Sequence, residues 1–379
     1  MLKKRILFVI LALFFLYSLW LGFNILSFKT YKAPGLKASP LEIQGVYHIH
    51  TNFSDGRKTT DEIAGLASKA GLNFIILTDH GSPNRESCAS QGWKNSVLVL
   101  AGSELSVSRG HLVGLDFKLP ADDFSQNADE AVYGIMAAGG FTVIAHPYSK
   151  VQWSWGEFVG YSGIEIINAD TMLKEGLFLS APYLPVLLIK PSYALLKILD
   201  SPQREMRKWD ELSKIYPIYG YFSADAHLLY RSLFNFLRIH IILNAPFSPD
   251  FDTARAQVFE ALMSGRFYNS IHAAAWAMGF RFWGERGEEI IPMGGTASLK
   301  SASPILHIQA PFPYAKEIHL IQDGKSVLRS TEENVSFEVK QPGVYRVEIY
   351  LREKSPLRKD IPWIISNPIF IREDKNEDP

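Results

Sequence analysis

Hydrophobic and polar positions fall into three regimes along the chain. The first is continuous: Ile6 to Phe28 runs 23 residues without a charge and is dominated by Leu, Phe, Ile and Val. As a helix rising about 1.5 Å per residue, it exceeds the roughly 30 Å hydrocarbon core of a bilayer. The second regime begins at Ile43 and alternates short apolar runs with amphipathic stretches. Strands are expected at Gln44–His48, Phe74–Leu77, Val97–Leu100, Leu112–Phe117, Phe141–Ala145, Gly163–Ile167, Tyr219–Ser223 and Ile239–Leu243. Helices are expected from the capping-box pattern Thr59-Thr60-Asp61-Glu62 to near Gly71, and over Asn127–Ala138, Gln203–Ile215 and Thr253–Met263. Apolar strands separated by helices predict a parallel sheet covered by helices, either a barrel or an open sheet. In the third regime, after about Trp276, strands Ile305–Ile308, Ile318–Ile321, Ser326–Leu328 and Val344–Leu351 follow one another without helices. Asp323-Gly324 signals a tight hairpin, and the alternation in Val344–Ile349 buries one face. The predicted organisation is an anchor and tether over 1–40, an α/β body over 41–275, and an antiparallel β-domain with a polar tail over 276–379.

Charge at the flanks orients the first segment. Lys3, Lys4 and Arg5 precede it, which by the positive-inside rule keeps the N-terminus in the cytoplasm and places the rest of the chain outside. Ala33-Pro34-Gly35 is the one small-x-small triplet just after it, with a poorly placed proline, so an uncleaved anchor is expected over a cleaved signal. A second apolar stretch, Leu177–Leu199, is broken by Pro182, Pro185, Lys190 and Pro191. It reads as a helical insertion packed on the body or resting on a membrane surface, not as a second span.

Composition then narrows the chemistry. With 39 Lys+Arg against 39 Asp+Glu the net charge is zero, which argues against a nucleic-acid-coating role and predicts no stable nucleic-acid partner. The single cysteine, Cys88, excludes an internal disulfide and any thiolate metal cluster. A metal site here must use His, Asp and Glu.

Such residues gather in a pattern. His48-Ile49-His50 sets two imidazoles at strand period two, and Asp55 follows in Ser54-Asp55-Gly56. Asp79-His80 ends the run Phe74–Thr78, Glu104 follows Val97–Leu100, His111 opens the next strand and His146 ends Thr142–Ala145. Asp225-Ala226-His227 closes Tyr219–Ser223. Except for His111, these histidines and Asp225 fall at or just past the carboxyl ends of apolar strands, the edge where β/α folds place their chemistry. Nine nitrogen and oxygen ligands on one face need cations to neutralise the carboxylates, so a multinuclear metal centre is expected.

The order HxH, SDG, TDH, Glu, His, His, DxH resembles the PHP family, the polymerase-and-histidinol-phosphatase metal-dependent hydrolases, over about residues 41–275. The resemblance implies a distorted (β/α)7 barrel with two or three divalent ions, whether zinc, manganese or iron. By motif, His48, His50, Glu104 and Asp225 would hold one ion, and Glu104 would bridge to a second bound by His111 and His146. Asp55, His80 and His227 would hold a third, with Asp79 as a supporting partner. A water activated by these ions, assisted by Asp225 and His227, would hydrolyse an ester of a small phosphorylated substrate. Arg85, Arg109, Lys150 and Arg231 are candidate phosphate clamps, Arg109 and Arg231 foremost. His240, His272, His307 and His319 fit no ligand motif and read as structural. The C-terminal strands resemble the immunoglobulin-like, sandwich-type extension found after some PHP barrels. Two other readings keep the same residues: hydrolysis of a non-phosphate ester, amide or carbamate, or a non-catalytic metal-binding module at the cell surface.

Overall fold

The computed structural model describes residues 2–32, 39–176, 183–299 and 303–373. The middle of the expected tether with its Ala33-Pro34-Gly35 triplet, the start of the Leu177–Leu199 stretch and nearly all of the polar tail lie outside them. The first regime is one helix, Leu2–Ser27. Its stretch Lys4–Ser27 is 24 residues, long and apolar enough for a membrane anchor or a signal sequence, and none of its most apolar window is buried in the body.

The second regime folds into two sheets. β1 (Glu42–Ile49), β2 (Phe74–Leu77) and β4 (Val97–Ala101) are parallel neighbours, with β3 (Gly92–Lys94) antiparallel on the outer edge of β4. The other sheet runs in the order β5 (Ser103–Val107), β6 (Gly110–Leu115), β7 (Phe141–Ile144), β8 (Gly163–Asn168) and β9 (Tyr219–Ser223). The two are stitched along both sides. Ile49 bridges Ala226, with the His50 N–H donating to the Ala226 carbonyl at 3.1 Å. On the other side β4 runs through Gly102 into β5, and His80 bridges Glu104. Tyr47, Phe74, Leu98, Val113, Val143 and Tyr221, drawn from both sheets, form one buried cluster with Phe259 and Leu262 of the helix Phe251–Met263. The alternate residues Val46, Ile75 and Val99 join Ile63 and Ala67 of the helix Thr60–Lys69 in a second cluster. Both faces of these strands are covered, which is why their sequences are continuous apolar runs.

Two features depart from an all-parallel arrangement. β5, β6 and β7 are antiparallel, and β1 pairs antiparallel with β10 (Arg238–Ile242), which pairs antiparallel with β11 (Phe267–Ser270). Only Ser108 and Arg109 join β5 to β6, and two residues can turn a hairpin but cannot make the crossover a parallel pair needs. β5 has no apolar run of its own because one of its buried residues is Glu104.

The third regime contributes two layers. β12 (Arg281–Arg286), β13 (Glu289–Pro292), β15 (Ile305–Gln309) and β18 (Asn334–Glu338) form an antiparallel four-stranded sheet. The remaining strands, β14 (Thr296–Ser298), β16 (Lys316–Gln322), β17 (Lys325–Ser330), β19 (Gly343–Leu351), β20 (Ile364–Ser366) and β21 (Ile369–Arg372), extend the first sheet of the body. The junction is β11 with β20, in the register Tyr268 to Ser366. One pair, β14 with β21, is parallel. Asp323 (φ 51°) and Gly324 (φ 83°) make the β16–β17 turn, both in the left-handed region that a two-residue hairpin of this twist demands.

Candidate metal centre

Most site residues are delivered by the end of a strand or the turn after it, while Glu104 and His111 lie at the starts of β5 and β6. His48 is the penultimate residue of β1, with φ 66°, and the β1–β2 register slips between Tyr47 and Ile49. This bulge, not plain alternation, aims both imidazoles at one point, with the Nε2 atoms of His48 and His50 3.1 Å apart. His146 (φ 24°) and Asp225 (φ 45°) also sit at positive φ. Three such residues in one site cost on the order of 1–3 kcal/mol each, a strain that surrounding structure must hold in place. His111, which begins its strand, arrives at the same edge as the others because β6 runs antiparallel to β7.

Glu104 is the centre of the arrangement and is almost wholly buried. Its Oε2 lies 3.2 Å from both His48 Nε2 and His50 Nε2, and Asp225 Oδ1 lies 3.4 Å from the same two nitrogens. Its Oε1 lies 2.8 Å from both His111 Nδ1 and His146 Nε2. A further group forms around Asp55, whose Oδ1 is 3.2 Å from His50 Nδ1 and whose Oδ2 is 3.2 Å from His227 Nε2 and 3.7 Å from His80 Nε2. The structure thus brings together all nine residues singled out by sequence, as clusters of three or four whose ligand atoms lie within 4.8 Å of one another.

The electrostatics show what such a cluster requires. Burial opposes charge on His48, yet Glu165, Asp225 and Glu104 beside it hold its protonation well above the ordinary imidazole range. Burial likewise opposes charge on His50, which Asp225, Asp55 and Glu104 push up. Burial would raise Glu104 and Asp225, but the surrounding imidazoles keep both carboxyls well below the usual carboxylate range. His80, more open, is lowered chiefly by desolvation. Two imidazoles facing each other nitrogen to nitrogen between two buried carboxylates compensate that negative charge only by carrying protons. Divalent cations do so with the ring nitrogens as ligands, so the donor set fits metal ions.

Other residues hold these in place. Asp79 accepts from Thr51 N–H (2.6 Å), Thr51 Oγ1 (2.9 Å) and Ser54 Oγ (2.7 Å), fixing the loop that carries Asp55. Glu165, in the middle of β8, was not singled out by sequence. Its Oε1 is 2.6 Å from His48 Nδ1, while its Oε2 accepts from the His146 backbone N–H (2.9 Å) and Asn168 Nδ2 (2.8 Å). A glutamate inside the apolar run Gly163-Ile164-Glu165-Ile166-Ile167 was the available signal, since a buried lone carboxylate needs partners.

The cleft over these groups holds about 540 Å³ and is lined by Asp55, His80, Glu104, His111, His146, Asp225 and His227, together with Ser149, Lys150, Asp170, Thr171 and Lys174. Its cations are Lys150 and Lys174. Arg109 and Arg231 are not among its lining residues: Arg109 is spent on Asp129 (2.9 Å) and the Glu157 carbonyl (2.9 Å), and Arg231 sits on the short helix Tyr230–Phe234. Arg85 caps the carbonyls of Pro120 and Ala121 instead. Of the remaining histidines, His240 contacts Glu42 and Ser270, His272 stacks on Trp276, His307 stacks on Trp283 and His319 meets Glu317.

No protein-family model matches the chain, and no curated protein sequence does. Solved structures are similar at low identity. A two-domain protein from Bacteroides vulgatus, containing a predicted PHP-like metal-dependent phosphoesterase, is 14% identical with a TM-score of 0.44, covering 90% of this chain and 99% of its own. An amidohydrolase from Chromobacterium violaceum is 17% identical with a TM-score of 0.31, covering 48% of this chain and 87% of its own. A protein from Bifidobacterium adolescentis, named as a metal-dependent phosphoesterase, is 14% identical with a TM-score of 0.32, covering 48% and 87% respectively.

Proposed function

We propose that the chain is a metal-dependent phosphoesterase of the PHP kind, anchored in a membrane by its N-terminal helix with the body outside the cytoplasm. The observation that carries this reading is the division of Glu104. One oxygen faces His48 and His50 (3.2 Å each) and, at 3.4 Å, His80, while the other faces His111 and His146 (2.8 Å each); Asp225 Oδ1 shares His48 and His50 with the first oxygen at 3.4 Å. That is the ligand grouping the motif order implies for two cations sharing one carboxylate, with Asp55, His80 and His227 available for a third. The seven strand positions β1, β2, β4–β5, β6, β7, β8 and β9, stitched at both seams, support the distorted (β/α)7 barrel.

Bound cations supply Lewis acidity and a nucleophile from water at neutral pH. The chain's own groups do the rest. Lys174, held against Asp170, and Lys150 at the cleft mouth bring positive charge to a substrate phosphate. His227, with Nδ1 3.0 Å from the Asp225 carbonyl, is oriented so that Nε2 faces Asp55, where the two would hold the third cation together. Thr171 and Ser149 line the same wall and offer hydroxyls for orientation.

The test uses the full chain purified in detergent, stripped with chelator and reloaded with Zn, Mn or Fe. Phosphomonoesters, phosphodiesters and carboxylic esters are assayed in parallel. Phosphoester turnover restored by metal, and lost in His48→Ala and Asp225→Ala by at least about 10³-fold, is the expected result. Carboxylic-ester turnover without phosphoester turnover would move the assignment to another ester class.

A further inference from the structure

The end of the apolar helix has company. Its residue Ile25 and the following Phe28 are buried against the body, and Phe28 meets Tyr193 edge-on at 5.8 Å. Tyr193 belongs to the helix Pro191–Ile198, which is preceded by a short helix, Leu184–Ile189. In the short helix Val186 and Leu187 pack on the core, whereas Leu184, Leu188 and Ile189 point outward. Leu188 is 88% and Ile189 67% exposed, an adjacent aliphatic pair that water gives no reason to present.

Beside them a pocket of about 520 Å³ opens between the apolar helix and Pro191–Ile198. Trp20, Phe23 and Tyr193 form its apolar side, and Lys29, Lys32, Lys197 and Lys354 line it with no Asp or Glu among the described lining residues. None of these four lysines makes an ion pair with a described residue; Lys32 lies over the Trp276 ring at 4.6 Å. The helix's span of 24 residues exceeds the roughly 20 that a bilayer core takes up, and the pocket lies at its C-terminal end. Aromatic rings beside lysines are what the membrane–water boundary selects.

Resting on the reading of the N-terminal helix as an anchor, we infer that the helix pair Leu184–Ile198 lies in the headgroup layer of the same membrane. Leu184, Leu188 and Ile189 enter the acyl boundary, and the lysine-lined pocket takes the phosphate of an anionic phospholipid. The helix Ala169–Gly176, which lines the metal cleft through Asp170, Thr171 and Lys174, packs against Pro191–Ile198. The membrane contact and the cleft therefore share a wall, and the bilayer sets the direction from which substrate enters.

Cys88 is the sole cysteine and is buried, so single probes are straightforward in a Cys88→Ala background of the full chain. A fluorophore is attached at Leu13→Cys, Leu188→Cys or Ile290→Cys, and the protein is reconstituted in vesicles of phosphatidylcholine and phosphatidylglycerol carrying spin-labelled lipid. Quenching at positions 13 and 188 but not at 290 is expected. Quenching at 13 without quenching at 188 overturns the inference and leaves the anchor standing; quenching at neither removes both. A probe at Ser355→Cys, inside the pocket, reads headgroup choice. Spin-labelled phosphatidylglycerol should quench it several-fold more than spin-labelled phosphatidylcholine, and Lys197→Gln with Lys354→Gln should bring that preference close to one. Equal quenching by the two lipids, or a preference that survives unchanged in the double lysine variant, overturns the pocket's assignment.

Discussion

At the residue scale the site is a set of carboxylates shared among imidazoles, and the most consequential residue outside the nine is Glu165. It fixes the His48 ring through Nδ1 and the His146 backbone through its other oxygen, so it sets the direction of two ligands from separate strands. Glu165→Gln keeps the shape and removes the charge that makes His48 a better donor. Such partners typically matter 10–100-fold, and that loss is expected in metal affinity measured by chelator competition, with the secondary structure unchanged by circular dichroism. An affinity equal to wild type would show that His48 is held by packing alone. Most of the nine candidate ligands were legible in sequence because residues of those types ended run after apolar run; Asp55 in its turn and His111 at a strand's start were legible only by their place in the motif order. Glu165 was not, because it sits within a run, where one-dimensional pattern gives no sign of what the side chain meets. Of the candidate clamps Lys150 does line the cleft, whereas the two favoured arginines do not, for a related reason. Arg109 and Arg231 lie close in sequence to ligands, but Asp129 and the Glu157 carbonyl claim Arg109. Lys174 reaches the cleft from a helix, Ala169–Gly176, absent from the sequence-based reading.

At the element scale, short turns decide where ligands go. The capping box was readable and is formed: Thr59 Oγ1 accepts from the Glu62 N–H, and the Glu62 carboxylate accepts from the Thr59 N–H. Antiparallel pairing of β5, β6 and β7 was less readable, since the polar strand Ser103–Val107 hides its register behind Glu104. The Ser54-Asp55-Gly56 turn shows a tighter constraint. A Cβ on Gly56 would lie 2.2 Å from the His50 carbonyl oxygen, a backbone atom that cannot move without shifting the His50 ligand. Gly56→Ala should therefore displace the loop that carries Asp55 while sparing Glu104 and its neighbours. Metal analysis is expected to show one ion fewer per chain than wild type, and a thermal midpoint lower by a few degrees. Retention of the full metal complement would mean that the loop relaxes around the added methyl, and that Asp55 needs no fixed turn.

At the scale of the whole molecule, the body and the C-terminal strands are joined by more than the β11–β20 ladder. Glu42, on the first strand of the body, is buried at this junction and accepts from Tyr268 on β11 (2.5 Å), the Gly279 N–H (3.0 Å) and Arg281 on β12 (2.6 Å), with His240 Nδ1 at 3.2 Å. Burial opposes its charge, but the hydrogen bond and charge of His240, the Arg281 charge and the Tyr268 hydroxyl outweigh burial and hold the carboxyl at about 2 instead of 4.5. His240 is itself lowered by desolvation, against the hydrogen bond and charge of Glu42, which push it up. The sign follows from linkage. The folded state binds the proton less readily than the unfolded chain, so the carboxylate's contribution is complete above about pH 4.5 and is lost as pH falls toward 2. At about 1.4 kcal/mol per unit, the contribution is on the order of 3 kcal/mol. Urea unfolding of the full chain in detergent, wild type against Glu42→Gln, provides the check. The stability gap between them should be widest above about pH 5 and should close steadily as the buffer is acidified through this window. A gap that stays constant with pH would mean that Glu42 titrates as an ordinary carboxyl, and that the two parts are held together by strand pairing and apolar packing without this buried charge.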